Sequence, residues 1–348
     1  MAKSKKRKSV KILMAVLIPV LIALIGVATY ASYLTSTAKE VVESSQHKLS
    51  TRKLEDKSKL REQKVDPRID NISVLFLGID DGSDGVFSGS TRTDAMILAT
   101  FNEKEKSVKM VSIPRDSRVE LVGRDRMDKI THAHAFGDIE MTVDTVEKLF
   151  DIPVDYYVRL NFDAFIKIID ALGGIQMDVP FEITEQNSHR EKNAIHIAKG
   201  FQTLDGEEAL AYARTRKYDG DVERGHRQQE ILKAIINKGL SLRSVAKYDD
   251  VMKGIGDNLT TNMSFDDMLA FHDYAYQGSN VDIEMLSLTG EGARIKGLYY
   301  YVLDDDNLET VKTTLKQHLT FEGTDDSSTG TDSDTSSEED ITTETDQF

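Results

Sequence analysis

The chain has 348 residues with 44 Lys and Arg against 59 Asp and Glu, a formal net charge of −15. That balance excludes general nucleic-acid binding, which needs a broad basic face. The absence of cysteine excludes a thiol nucleophile, a disulfide framework and a Cys-ligated metal, so stability must rest on a packed core.

Residues 1–11 form a basic segment with Lys3, Lys5, Lys6, Arg7, Lys8 and Lys11. Residues 12–34 carry no charge and exceed the roughly 20 needed for one bilayer crossing. A cleaved signal peptide is the alternative, and the small residues from Ala28 to Ser32 could be cut. The apolar run is nevertheless longer than the usual signal-peptide core of roughly 7–15 residues. The reading is therefore an uncleaved single-pass transmembrane helix, with Pro19 as a tolerated kink. The basic end stays in the cytoplasm, placing everything after Leu34 outside the cell membrane.

Residues 35–70 are rich in Lys, Glu, Ser and Gln and read as a partly helical extracellular stalk. Residues 71–321 read as one globular domain, and residues 322–348 as an acidic disordered tail without a basic residue. Within the domain, β-branched and apolar runs predict strands at Ser73–Gly78, Ala95–Phe101, Ser107–Ile113, Asp155–Leu160, Ile175–Val179 and Ile283–Leu288. Helices are predicted at Ile139–Phe150, Phe162–Ala171, Asp205–Arg216, Val222–Leu242, Phe265–Tyr276 and Asp306–Leu319. This alternation gives an α/β (α+β) fold with a central mixed sheet flanked by helices.

The first predicted strand leads into Ile79-Asp80, and a polar, Gly-rich loop separates it from Arg92-Thr93-Asp94 at the start of the second. If the two strands pair antiparallel, Asp80 and Asp94 share one rim of the sheet. Two carboxylates of this kind can hold Mg²⁺, which completes its shell with water and phosphate oxygens. As turn and cap residues they would serve structure alone. The third strand ends in Ser112-Ile113-Pro114-Arg115-Asp116, where proline fixes the exit and Arg115 stands at the sheet edge. His132 and His134 have no third ligand at a suitable spacing and do not form a metal site; Lys129 or His132 suits a supporting contact better.

The densest feature is an arginine cluster. Leu204 to Arg216 has the pattern of an amphipathic helix, with Leu204, Ala209, Leu210 and Ala213 inward and Asp205 as N-cap. Arg214 and Arg216 close it, Gly220 breaks the chain, and Arg224, Arg227 and Gln228 follow in the first turns of a second helix. Arginines on helices commonly pair with acids on a solvated face, but two helix ends that present guanidinium forks suit a phosphate or diphosphate. No Walker loop, dinucleotide fingerprint, HExxH helix or GxSxG elbow occurs.

The ordered set Leu77-Gly78-Ile79-Asp80, Arg92-Thr93-Asp94, Ser112 to Asp116, Lys129 to Ala133, Gly200 to Arg216 and Arg224 to Gln229 resembles the LytR-CpsA-Psr family of cell-wall glycopolymer ligases. The match spans most of Asn71 to about Leu242, and the short cytoplasmic end with one anchor is also the family's layout. The resemblance implies a membrane-anchored phosphotransferase of the Gram-positive envelope. It would move a teichoic-acid-like or capsular polysaccharide from its polyprenyl diphosphate carrier to peptidoglycan through a phosphodiester. It implies Asp80 and Asp94 as Mg²⁺ ligands (Mn²⁺ is the alternative ion) and catalytic residues together with Arg92 and Arg115. Arg92, Arg115, Arg214, Arg216, Arg224 and Gln228 would contact the diphosphate, with Arg118, Arg227 and Lys129 supporting. The carrier lipid calls for an apolar channel, for which Phe162 to Ile169 and Leu232 to Ile236 are candidates; core packing is the alternative role for all of these residues. The alternatives are an envelope regulator of the transcriptional-attenuator type that binds the lipid diphosphate without turnover, and a diphosphate hydrolase.

Overall fold

The computed structural model describes residues 36, 39–40, 42–52, 55–80, 92–217, 220–240, 258–268, 270 and 281–321. The predicted anchor at 12–34 and tail at 322–348 lie outside these residues, and among the described residues no helix is long and apolar enough to cross a membrane.

A six-stranded mixed sheet forms the centre. Its strands are β1 (Ile72–Ile79), β2 (Thr93–Asn102), β3 (Ser107–Ser112), β6 (Tyr156–Asn161), β11 (Leu259–Thr261) and β12 (Asp282–Ser287), in the order β11-β6-β1-β2-β3-β12. β1 runs parallel to β6 and β3 to β12, while β1–β2, β2–β3 and β6–β11 are antiparallel. The strands read as nearly continuous apolar runs because both sheet faces are covered. Leu75, Leu77 and Leu98 point to one face with helices α1 (Thr131–Phe150) and α5 (Asp305–Leu319), whose Val143, Val146, Leu315 and Leu319 close that core. Val74, Ile97 and Ala99 point to the other face, toward Leu232 and Ile236 of α4 (Gly220–Leu240).

A third core joins α2 (Phe162–Ala171), the ribbon of β7 (Ile175–Val179) and β10 (Gly200–Leu204), and α3 (Gly206–Arg214) through Ile169, Ile175, Leu204, Ala209 and Tyr212. Gly206 is required where α3 crosses α2, since a Cβ there would lie 2.5 Å from the Ile166 carbonyl oxygen. Three hairpins complete the described fold: β4 (Arg118–Leu121) with β5 (Arg126–Lys129), β8 (Ile183–Glu185) with β9 (Ile195–Ile197), and β13 (Gly290–Ile295) with β14 (Leu298–Leu303).

Two sequence expectations need correction. The described part of residues 35–70 does not stand off as a stalk: Leu49 enters the main core, Arg52 pairs with buried Glu147 at 2.8 Å, and Arg61 pairs with buried Asp155 at 2.7 Å. The acidic partners are about a hundred residues away in sequence, so local composition shows only polarity. Helix α1 begins at Thr131 and bends at Gly137 and Asp138, where the backbone leaves helical geometry; the predicted start at Ile139 is the start of its second half.

Candidate functional site

The carboxyl-terminal end of β1 and the start of β2 bring two acids to one rim. Gly78 pairs with Ala95 but Ile79 pairs with Thr93, so Asp94 is the extra residue of a β-bulge. A bulge re-aims the side chain it carries. The Asp94 carboxylate meets Arg115, immediately after β3, in a tight ion pair. Asp80 follows Ile79 on the adjoining strand and receives Arg190 at 3.4 Å from the loop between β8 and β9. The antiparallel arrangement expected for these two strands is present.

The arginine helices converge on the same rim. Asp205 caps α3 as foreseen, through a reciprocal capping box with Glu208. Leu204, Ala209, Leu210 and Ala213 are buried, which fixes the helix face and sends Arg214 off its last turn. The Arg214 guanidinium lies 4.7 Å from the Phe162 ring. Arg216 and Arg224 both reach Asp221, at 3.2 and 3.1 Å. Burial lowers the Arg224 pKa to about 10, and the neighbouring Arg216 adds to the effect, while Asp221 and Asp94 oppose it. Arg224 therefore remains charged at neutral pH. Helix α4 is held against the sheet by Gln229, whose Nε2 donates to the Met110 carbonyl at 2.9 Å and the Leu286 carbonyl at 3.2 Å. Gly225 permits this approach, because a Cβ would lie 2.7 Å from the Ser112 hydroxyl.

Two adjoining spaces meet here. A small polar pocket is lined by Asp94, Arg115, Asp221, Arg224, His226 and Gln228. An apolar cleft of about 140 Å³ runs between the sheet and helices α2 to α4, lined by Phe76, Val158, Phe162, Phe165, Leu232 and Ile235 among others. Asp94 and Gln228 line both, and Arg214 stands at the cleft. Among the candidate channel residues, Phe162, Phe165, Leu232 and Ile235 do line the cleft, whereas Ile169 is packed in the third core. Three buried guanidinium nitrogens at this junction, Nε of Arg115, Nη1 of Arg214 and Nε of Arg224, have no hydrogen-bond partner among the described residues. Buried donors are nearly always satisfied, and three orphaned cationic ones in one place call for an anion.

The remaining candidates divide. Arg92 is exposed two residues before Asp94. Lys129 pairs with Asp116 at 2.8 Å, next to Arg115, which fits a supporting role. Arg118 lies across the β4–β5 ladder from Lys129 and lines neither space. Arg227 departs from its expected role: its Nε and Nη2 donate to the Tyr212 and Thr215 carbonyls at 3.1 and 2.5 Å, closing the open end of α3. It sits in the second turn of α4, on the side facing α3 and away from the pocket. His132 pairs with Asp128 and His134 with Asp138, at 2.9 and 3.1 Å. Arg190 had no sequence signal, because only the paired loop geometry carries it to Asp80.

An acidic rim, an arginine-walled polar pocket and an apolar cleft thus adjoin one another at the carboxyl end of β1. The LytR_cpsA_psr family model matches residues 31–317, and the chain belongs to that family. It is 40% identical over 320 residues to the polyisoprenyl-teichoic acid–peptidoglycan teichoic acid transferase TagT of Bacillus subtilis, spanning 91% of this chain and 96% of that one. It is 38% identical over 326 residues to TagU of Bacillus licheniformis, of the same description, spanning 92% and 99%. The fold is similar to TagT bound to LIIa-WTA, with TM-score 0.65 and 41% identity over 76% of this chain and 96% of that one. It is also similar to TagT with bound octaprenyl pyrophosphate, with TM-score 0.61, 39% identity and coverage of 76% and 97%.

Proposed function

We infer that this chain transfers a polyisoprenyl-carried teichoic acid to peptidoglycan. The observation that carries the reading is the set of three buried guanidinium nitrogens without a hydrogen-bond partner among the described residues, where the polar pocket meets the apolar cleft. Curated relatives bear the teichoic acid transferase description over nearly their whole length, and a homologous structure holds octaprenyl pyrophosphate.

In this reading the cleft receives the isoprenoid, with Phe162 and Phe165 against its first units. Arg214 and Arg224 neutralise the diphosphate and stabilise the charge that develops on the leaving phosphate. The acceptor sugar's hydroxyl oxygen attacks the phosphorus that bears the polymer. The bond from that phosphorus to the bridging oxygen breaks, a phosphodiester forms, polyprenyl phosphate leaves with the electron pair, and the proton of the attacking hydroxyl passes to the departing phosphate. Arg115 holds Asp94 in place and is itself held near Asp116, whose other partner is Lys129.

We assign Asp80 and Asp94 to a hard divalent cation, Mg²⁺ or Mn²⁺. The donor set suits such an ion: both are carboxylates, on adjoining strands at one rim of the sheet, and a hard dication takes few protein oxygens when phosphate and water complete its shell. When bound, the cation would polarise the diphosphate oxygens. The basic and apolar residues 1–34 support a membrane anchor that keeps the catalytic domain outside the cell, beside its lipid-carried donor.

The test is transfer by the purified full chain of a polyprenyl-diphosphate-linked teichoic acid to peptidoglycan strands, with and without Mg²⁺. Wild-type transfer is expected, and Asp94→Asn should lower it on the order of a hundredfold while lipid binding persists. Tight lipid binding without transfer or hydrolysis would favour the regulatory reading, and release of free polymer without an acceptor would favour the hydrolase.

A further inference from the structure

The β13–β14 hairpin carries a feature that the diphosphate site does not use. Its strands are Gly290-Glu-Gly-Ala-Arg-Ile295 and Leu298-Tyr-Tyr-Tyr-Val-Leu303, joined by Lys296 and Gly297, both at positive φ. The register pairs Gly292 with Tyr301 and Arg294 with Tyr299, so these residues share one face. A Cβ on Gly292 would lie 2.9 Å from the Tyr299 ring and 3.0 Å from its hydroxyl. The tyrosine therefore lies flat along the opposite strand, over the space that a side chain would fill. Tyr299 is 43% exposed, and its outer ring face meets solvent.

This face is continuous with the reactive loop. The Tyr301 amide donates to the Asp116 carbonyl at 2.9 Å, and Asp116 adjoins Arg115. At the other end, Leu288 lines the anion pocket two residues before β13 begins. Lys129, already paired with Asp116, lies 5.8 Å from the Tyr299 ring.

We propose that this tyrosine-over-glycine face is the docking surface for the acceptor, an N-acetylated β-1,4-linked glycan strand. The proposal rests on the transferase reading. A flat aromatic face matches the apolar C–H face of a pyranose, and a tyrosine presents it at a small entropic cost because only two torsions are fixed. Arg294 across the ladder and Lys129, whose ammonium lies 5.8 Å from the ring centroid, supply donors for the sugar's hydroxyl and acetamido oxygens, and for carboxylates attached to it. The hydrogen-bonded tie from Tyr301 to Asp116 then sets the strand beside Arg115, which lines the anion pocket.

The experiment has two arms with the full chain. In the first, binding of a chitin tetrasaccharide is followed by isothermal titration calorimetry, which needs no reporter at position 299. Tyr299→Ala should raise the Kd about five- to tenfold and Tyr299→Phe should keep it within about twofold, since the ring and not the hydroxyl provides the surface. In the second arm, Tyr299→Ala should raise the acceptor KM by a similar factor while kcat and the Kd for octaprenyl diphosphate stay at wild-type values. Equal acceptor KM in wild type and Tyr299→Ala, with transfer intact, overturns the docking surface and leaves the transferase reading standing. Tetrasaccharide binding that depends on Tyr299 in a chain that fails to transfer supports the surface and defeats that reading. Loss of binding to anionic lipid vesicles by Tyr299→Ala without any change toward the glycan would make the hairpin a membrane contact and overturn the proposal.

Discussion

Arg52 reaches from the segment before the domain to Glu147 on α1, forming a 2.8 Å ion pair in which both side chains are almost fully buried. Its Nη1 also donates to the Val154 carbonyl at 2.7 Å, and Glu147 takes further hydrogen bonds from Ser58 and the Val154 amide. The preceding segment is thereby built into the core that supports the sheet.

Removing Arg52 leaves a buried carboxylate without its cation. Arg52→Ala should therefore lose about 3–5 kcal/mol in denaturant unfolding. Burial already pushes the Glu147 carboxyl up, and Arg52 opposes it together with the hydrogen bonds from Ser58 and the Val154 amide. Without Arg52 the folded chain holds a proton that the unfolded chain has released, so the variant's deficit should shrink as pH falls and widen as pH rises through the folded pKa. A deficit independent of pH would show that Glu147 is not the cause.

Arg214 and Arg227, both on the arginine helices, should separate into ligand and scaffold. Arg214→Ala removes one partnerless donor and should weaken octaprenyl diphosphate binding about ten- to a hundredfold with an unchanged melting temperature. Arg227→Ala removes two bonds to the end of α3 and should cost about 3 kcal/mol of stability. Similar profiles for the two variants would contradict this division.

Gly206→Ala tests the crossing of α2 and α3. The added Cβ would meet the backbone oxygen and Cα of Ile166 at 2.5 and 2.8 Å, atoms that cannot turn aside as a side-chain tip can. The expected loss is about 1–3 kcal/mol in equilibrium unfolding. Lipid affinity should fall with it, because the same helix ends in Arg214.

His318 sets a second pH dependence. Its ring is buried between the Thr100 and Ser107 hydroxyls at 2.8 and 2.9 Å. Burial, with a smaller push from Lys109, lowers its pKa to about 4, from an ordinary value of 6.5. The unfolded chain thus binds this proton more readily, and the associated stability is present above about pH 6.5 and lost as pH falls toward 4. The loss should approach ~3 kcal/mol, and His318→Gln should remove that part of the slope between pH 7 and 5 in thermal unfolding.

Much of the fold was legible because the central strands β1 and β2 are covered on both faces and announce themselves as apolar runs, while β3 and β12 show alternating apolar residues. The helix from Phe162 to Ala171 and the Asp205 cap are written locally and appear where the pattern puts them. The hairpins were less legible. Lys296-Gly297 is a two-residue turn at positive φ beside a tyrosine run, a signal that was present, but β8 and β9 are only three residues each and owe their form to Lys217 and Glu207 packed against them.

The sequence by itself determined the polar chemistry of the site: acids flanking the first loop and arginines at two helix ends, set by residue type and spacing. Only the tertiary structure decided their division of labour. A bulge turns Asp94 into the pocket, Gln229 pins α4 to the sheet, and Arg227 turns away to satisfy the carbonyls at the end of α3. It also decided that residues around Arg52 and Arg61 belong to the domain, because a buried charge is stable only where a distant partner meets it, and separation along the chain gives no sign of that meeting.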